Sequence, residues 1–202
     1  MKENNFSCVI PAYNEEKRIS KVVNVVKEHR LVKEIVVVSD GSVDNTVEEA
    51  KLSGATKVIE LKNNLGKGAA VYYGVKEAVF DKIILLDADL DNLRIDHLAL
   101  LISTFETNNL DMVVGILGGD FFQKINPSVS GQRIVKKSLI LKHHELLNSG
   151  FKLELLLNYY ALIEKWAVGY VELPDLKHNL KIFKYSLKEA FKKEAEYFID
   201  LF

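Results

Sequence analysis

Five short apolar runs, at residues 6–10, 34–39, 57–61, 82–86 and 111–117, are separated by stretches whose apolar residues recur at helical spacing. Three of the runs are rich in Val and Ile, and none alternates cleanly with polar residues, as expected for strands buried on both faces of a parallel sheet. Between them, Ile19, Val22, Val23 and Val26 share one helical face, and Ala70, Gly74, Val75, Ala78 and Val79 share another. Thr46 followed by Glu49 predicts a capping box at the start of the second helix, and residues 95–106 supply a fourth. Past residue 126 the pattern turns mostly helical, over 132–147 and 152–166, with a strand at 168–173. A last helix is expected from Ser186, with Glu189 completing its capping box. Gly118-Gly119 through Pro127 is expected to be a flexible loop. The alternation predicts an α/β fold: a mostly parallel sheet flanked by helices, with a mainly helical C-terminal region, in one domain over residues 1–202.

Composition narrows the function. The chain has 202 residues, 48% apolar and 27% charged, with 3 Pro, so a disordered or fibrous chain is not expected. A formal net charge of -1 removes the electrostatic case for a nucleic-acid partner. Cys8 is the only cysteine, so neither an intrachain disulfide nor a cysteine zinc cluster is possible, and its setting predicts a buried strand residue. Met1 to Asn5 is polar, and no window approaches the roughly 18 uninterrupted apolar residues of a membrane span. No transmembrane segment and a cytoplasmic location are expected.

Ligands of open α/β sheets sit at the carboxyl ends of the strands, and four of those ends carry unusual residues. They are Pro11-Ala12-Tyr13-Asn14-Glu15-Glu16, Ser39-Asp40-Gly41-Ser42-Val43-Asp44-Asn45-Thr46, Asn63-Asn64-Leu65-Gly66-Lys67-Gly68 and Asp87-Ala88-Asp89. Turn formation explains any one of them, but not four on one edge. Residues i and i+2 of a strand point to one side, so Asp87 and Asp89 are expected to face a common point. A hard divalent cation there relieves their repulsion and leaves room for phosphate oxygens. The competing reading is a pair of solvated turn aspartates. Asp40 suits hydrogen bonds to a ribose or base, against a plain Asp-Gly turn. Lys67, between two glycines at a helix start, suits a phosphate or a nucleobase carbonyl, against a solvated lysine. Arg133 offers a guanidinium fork to a phosphate, and Asp91 and Glu154 are candidate general bases toward a hydroxyl.

The strings CVIPAYNEEKRI, VVVSDGSVDNT, NLGKGAA and LLDADL, in this order and spacing, resemble the family-2 glycosyltransferases of the GT-A fold. The resemblance covers residues 6–120. It implies a nucleotide-diphosphate sugar donor, UDP- or GDP-linked, bound with Mn²⁺ or Mg²⁺, and transfer of a hexose to a hydroxyl or phosphate acceptor. It assigns Pro11, Ala12, Tyr13, Glu15, Asp40 and Lys67 to the nucleoside part, and Asp87 and Asp89 to metal and diphosphate. Residues 1–117 would form the donor part and 118–202 the acceptor part. Ser39 departs from the pattern, since many members carry Asp there. Ser130-Gly131-Gln132-Arg133 and Gly150-Phe151-Lys152-Leu153-Glu154 are similar to acceptor-side segments of polyprenyl-phosphate sugar transferases and of glucosyl-phosphoglycerate synthase-like enzymes. In the latter a His after the final strand completes the metal shell, which makes His178 the candidate third ligand. His143 and His144 are expected to be solvated or structural within a helix.

Two alternatives stay open at this point: a sugar nucleotidyltransferase, and a nucleotide-sugar-binding protein without turnover. The acceptor stays unassigned, with a polyprenyl phosphate and a small phosphorylated molecule as the candidates. Leu187, Phe191, Ala195, Phe198 and Phe202 form an apolar stripe flanked by lysines. It is expected to pack on the domain or on a second subunit, as in a possible homodimer, or to rest on the inner face of a membrane.

Overall fold

The computed structural model describes residues 5–118 and 129–178. Its main sheet has seven strands in the order β3-β2-β1-β4-β7-β6-β8. These are β1 (Phe6–Ala12), β2 (Val32–Asp40), β3 (Lys57–Leu61), β4 (Lys82–Leu85), β6 (Met112–Leu117), β7 (Arg133–Lys136) and β8 (Val168–Leu173). All five apolar runs and the 168–173 strand are therefore found, and all run parallel except β7. A second, two-stranded ladder pairs β5 (Leu90–Asp91) with β9 (Lys177–His178).

Helices cover both faces. On one lie α1 (Ile19–Val26), α2 (Thr46–Ser53) and α4 (Ile95–Thr107), packed on Phe6, Cys8, Ile10 and Val37. On the other lie α3 (Lys67–Glu77), α5 (Lys137–Leu141) and α6 (Leu153–Ile163), packed on Val9, Val36 and Val38. Alternate residues of β1 and β2 thus feed opposite cores, which is why those strands read as continuous apolar runs. Cys8 is fully buried, as its sequence setting implies, and burial pushes its thiol well above the usual range. Ile19, Val22, Val23 and Val26 are all fully buried.

The helix expected over 132–147 does not form. Arg133–Lys136 is a strand inserted antiparallel between β4 and β6, with Ile83 opposite Val135 and Val113 opposite Ile134. Without it, the facing edges of β4 and β6 would both carry buried, unpaired backbone groups, and that need overrides the local helical spacing. Only the five residues of α5 remain helical there, followed by 3₁₀ turns at His144–Asn148 and Gly150–Lys152. His143 is buried and its ring stacks 3.6 Å from that of Tyr160, while His144 Nδ1 lies 2.6 Å from the Tyr72 hydroxyl. Both histidines are structural.

Two smaller expectations also give way. Thr46 does not form a capping box with Glu49, because its hydroxyl donates to Asp44 and accepts the Glu15 N–H at 2.8 Å. Asp44 Oδ1, two residues back, accepts the Thr46 N–H instead. Val79 lies past the end of α3 and is exposed. The loop expected over 119–127 and the C-terminal stripe beyond Ser186 fall outside the described residues. Among the described residues, no helix is long and apolar enough to cross a membrane.

Candidate active site

The four polar segments do meet along the carboxyl edge of β1, β2, β3 and β4. The turn after β2 is set by Gly41, whose φ of 71° suits glycine and whose Cβ would lie 2.6 Å from the Asn64 nitrogen. This close approach brings the β3–α3 loop against Asp40. Asp40 is buried, and its two carboxylate oxygens accept the N–H groups of Leu65 at 2.7 Å and Gly66 at 2.8 Å. The carboxylate therefore pins the loop whose next residue is Lys67.

Lys67 opens α3, and its Nζ lies 2.5 Å from Asp87 Oδ1 and 2.6 Å from Glu154 Oε1. Burial lowers the pKa of this ammonium, but the two carboxylates outweigh it and hold it well above the usual lysine value. Asp87 shows the mirror image. Burial opposes its charge, yet Lys67 and the hydrogen bond from His178 hold the carboxyl far below the ordinary range. The cluster is thus a charged network at neutral pH.

Asp87 and Asp89 do not converge as strand neighbours. β4 stops at Leu85, and the two residues lie in the turn that leads into β5. The turn, and not the i, i+2 geometry of a strand, brings them together. His178 arrives through the register of the small ladder, in which Leu90 pairs with His178 and Asp91 with Lys177. One ligand atom each from Asp87, Asp89 and His178 lies within 4.8 Å of the others. His178 Nε2 is 3.0 Å from Asp87 Oδ2. Burial works against charge on this imidazole, but Asp87 and Asp89 prevail and raise its pKa. Two carboxylates and one imidazole, all half-buried, are a donor set that fits Mn²⁺ or Mg²⁺.

The acceptor-side segment reaches the same place because β7 runs antiparallel to β4. Arg133 pairs with Leu85, so the residues just before β7 lie beside Asp87. A Cβ on Gly131 would sit 2.5 Å from Asp87 Oδ2 and 2.7 Å from Lys67 Nζ. Position 131 thus has no room for a side chain unless the charged cluster moves. Gly131→Ala is expected to displace Asp87, cost about 1–3 kcal/mol of stability through overpacking and cut donor turnover by about 100-fold. A thermal melt and an initial-rate assay check both, and wild-type values in either would show that the cluster yields freely.

Arg133 sits differently from expectation. It is fully buried, with its guanidinium donating to Ser130 O at 2.8 Å and Asn158 Oδ1 at 2.7 Å. Burial lowers its pKa to about 10, which leaves it charged at neutral pH. Its Nε and Nη1 are directed to internal acceptors. Arg133 still lines a small cavity with Pro11, Lys67, Asp87 and Glu154. Of the segment after β1, Ala12 is buried, Tyr13 is exposed, and Glu15 is buried against Arg18 Nη1 at 2.8 Å. Asp91 is half-buried on β5. The sequence pattern did not single out Gln132, although it is fully buried and its Nε2 lies 3.1 Å from Asp87 Oδ2. Reading 132–147 as a helix concealed it, because only a strand in the centre of the sheet delivers that side chain to the end of β4.

Solved structures share this architecture. Glucosyl-3-phosphoglycerate synthase from Mycobacterium tuberculosis, in complex with Mn²⁺ and UDP-glucose, superposes with a TM-score of 0.73. The match covers 92% of this chain and 73% of that one at 22% identity. A second structure of that enzyme, holding Mn²⁺, UDP-glucose and phosphoglyceric acid, gives 0.71 over 87% of this chain and 71% of that one, also at 22% identity. These likenesses establish the GT-A fold. In sequence, 4,4'-diaponeurosporenoate glycosyltransferase from Staphylococcus aureus (strain USA300) is 35% identical over 104 residues, which is 50% of this chain. The chain spans only 28% of that relative's length. Residues 7–155 match the family described as glycosyl transferase family 2, so on the sheet order, the strand-end segments and this match the chain belongs to that family.

Proposed function

We propose that this chain transfers a hexose from a nucleotide-diphosphate sugar, UDP- or GDP-linked, to a hydroxyl or phosphate acceptor, with Asp87, Asp89 and His178 holding Mn²⁺ or Mg²⁺. The observation that carries the reading is the convergence of those three ligand atoms at the carboxyl edge of the sheet, beside the ammonium of Lys67. Bound there, the ion would neutralise charge developing on the diphosphate leaving group. The complexes of glucosyl-3-phosphoglycerate synthase with Mn²⁺ and UDP-glucose support the same chemistry by analogy.

The chain's own residues divide the work. Pro11, Ala12 and Tyr13 border the nucleoside side, where the exposed Tyr13 ring is free to lie against a base. Glu15 and Asp40 act from within: Glu15 is tied to Arg18, and Asp40 holds the loop that presents Lys67. Lys67 supplies positive charge at the diphosphate. Glu154 and Asp91 are the two candidates for general base on the acceptor. Glu154 becomes free for that task when Lys67 turns from it toward the phosphates. A small phosphorylated acceptor is favoured by the phosphoglyceric acid held by the solved neighbour. A homodimer would use the exposed apolar side chains of α6 and the edge strand β8, namely Tyr159, Leu162, Ile163 and Tyr170.

A thermal-shift screen of UDP-, GDP-, dTDP- and ADP-sugars, each with and without Mn²⁺, tests the reading. A donor at about 100 times its Kd stabilises by about 2.7 kcal/mol, which raises the melting midpoint by about 5–10 °C in a chain of this size. One UDP- or GDP-sugar is expected to give that shift only when Mn²⁺ is present. If no nucleotide sugar moves the midpoint with metal present, the proposal fails.

A further inference from the structure

An amide also touches the charged cluster. Gln132 is fully buried, and its Nε2 lies 3.1 Å from both Asp87 Oδ2 and His178 Nε2. The orientation of the amide follows from chemistry: turning Oε1 toward Asp87 would set two acceptors against each other. With Nε2 so placed, Oε1 is a buried acceptor with no hydrogen-bond partner among the described residues. An unmet buried acceptor costs about 1–3 kcal/mol. A fully buried side chain that spans two ion ligands while leaving its own acceptor unmet is arranged for the loaded site and not for the empty one.

We propose that Gln132 is a positioning residue for the ion-binding group. An amide N–H donates to Asp87 Oδ2 and holds that carboxylate in place beside His178, and the Gln132 Oε1 accepts a hydrogen bond from a water or hydroxyl that arrives with the ion. The proposal rests on the metal role given above to Asp87, Asp89 and His178. Side chains that orient metal ligands from behind contribute 10- to 100-fold to ion affinity, and Gln132 is the uncharged group here that contacts two ligands at once.

The test is a Mn²⁺ titration of the nucleotide-free protein, followed by the electron paramagnetic resonance signal of free Mn²⁺. It compares wild type, Gln132→Met and Asp89→Asn. Gln132→Met keeps the length of the side chain and removes both polar atoms. Its Mn²⁺ affinity is expected to fall by about 10- to 100-fold. A packing role alone would lower the melting midpoint and leave the ion affinity of the folded variant unchanged. A folded Gln132→Met that binds Mn²⁺ as tightly as wild type overturns the positioning role while leaving the metal site in place. Wild type that takes up no Mn²⁺, with Asp89→Asn no different, overturns the metal reading itself and this proposal with it. Should Gln132→Met not fold, wild-type protein carries the test through nitrogen-15 NMR. The side-chain amide resonance of Gln132 must move when diamagnetic Mg²⁺ is added, and a stationary resonance overturns the role.

Discussion

Asp89→Asn should leave the protein folded and reduce Mn²⁺-dependent donor turnover by about 100- to 1,000-fold, the loss expected when a group that fixes transition-state charge is removed. Asp89 is the informative position because it is half-buried in the turn after β4, beside the other two candidate ligands. Replacing Asp87 would confuse chemistry with stability, since its carboxylate partners Lys67, His178 and Gln132 at once. The Asn side chain keeps the shape of Asp and loses its charge. Stability should therefore stay within about 0.5 kcal/mol of wild type. Release of nucleoside diphosphate from the donor, measured with and without Mn²⁺, gives the rate. Wild-type activity in a folded Asp89→Asn would rule out the proposed ion site.

Lys67→Met should produce the largest stability change in the chain's functional region. The ammonium lies within 2.6 Å of two carboxylates, and its side chain keeps only 22% of its surface exposed. Removing one partner of a buried ion pair costs about 3–5 kcal/mol, because the other charges stay behind. The residual exposure of Lys67 places the expected loss near the lower end, about 3 kcal/mol, or about 6–12 °C in melting midpoint. Mn²⁺ should then stabilise the variant more than it stabilises wild type, because the ion no longer competes with a fixed ammonium for Asp87. A calorimetric melt with and without Mn²⁺ measures both effects. A drop below about 2 °C would mean that water already screens the pair. A smaller Mn²⁺ response than wild type would mean that Lys67 and the ion do not share Asp87.

Most of the frame was legible because the chemistry of burial leaves a direct trace. Val36, Val37 and Val38 form one unbroken run since they feed opposite cores, and Ile19, Val22, Val23 and Val26 repeat at helical spacing since one face is covered. What the pattern could not supply was long-range pairing. Arg133–Lys136 is only four residues long, and its strand identity comes from two edges far away in sequence. The placement of Gln132 was lost with it. His178 was reached through a family likeness, while the physical reason is a two-residue ladder that no periodicity reveals. Asp40 was read for its charge, and in the structure that charge holds a loop. Thr46 had the right spacing for a capping box, yet Asp44 and Glu15 were better placed to use its hydroxyl.

The insertion of β7 between β4 and β6 also governs how the chain can be made. During synthesis β1 to β4 emerge in order and can pair as they appear, but β6 emerges with no neighbour to join. It waits for Arg133–Lys136, and β8 in turn waits for β6. At about 5–20 residues per second, the interval between the end of β6 and the end of β7 is about 1–4 s. Throughout it, a nascent chain carries the bare edge of β4 and a solitary Val-rich strand, the kind of surface that pairs with other chains. A fragment ending near residue 117 would be held permanently in that state, prone to aggregate although it contains most of the residues proposed to face the donor. The antiparallel strand that brings Gly131 and Gln132 to Asp87 is thus also the latch that ends the hazardous stage of biosynthesis.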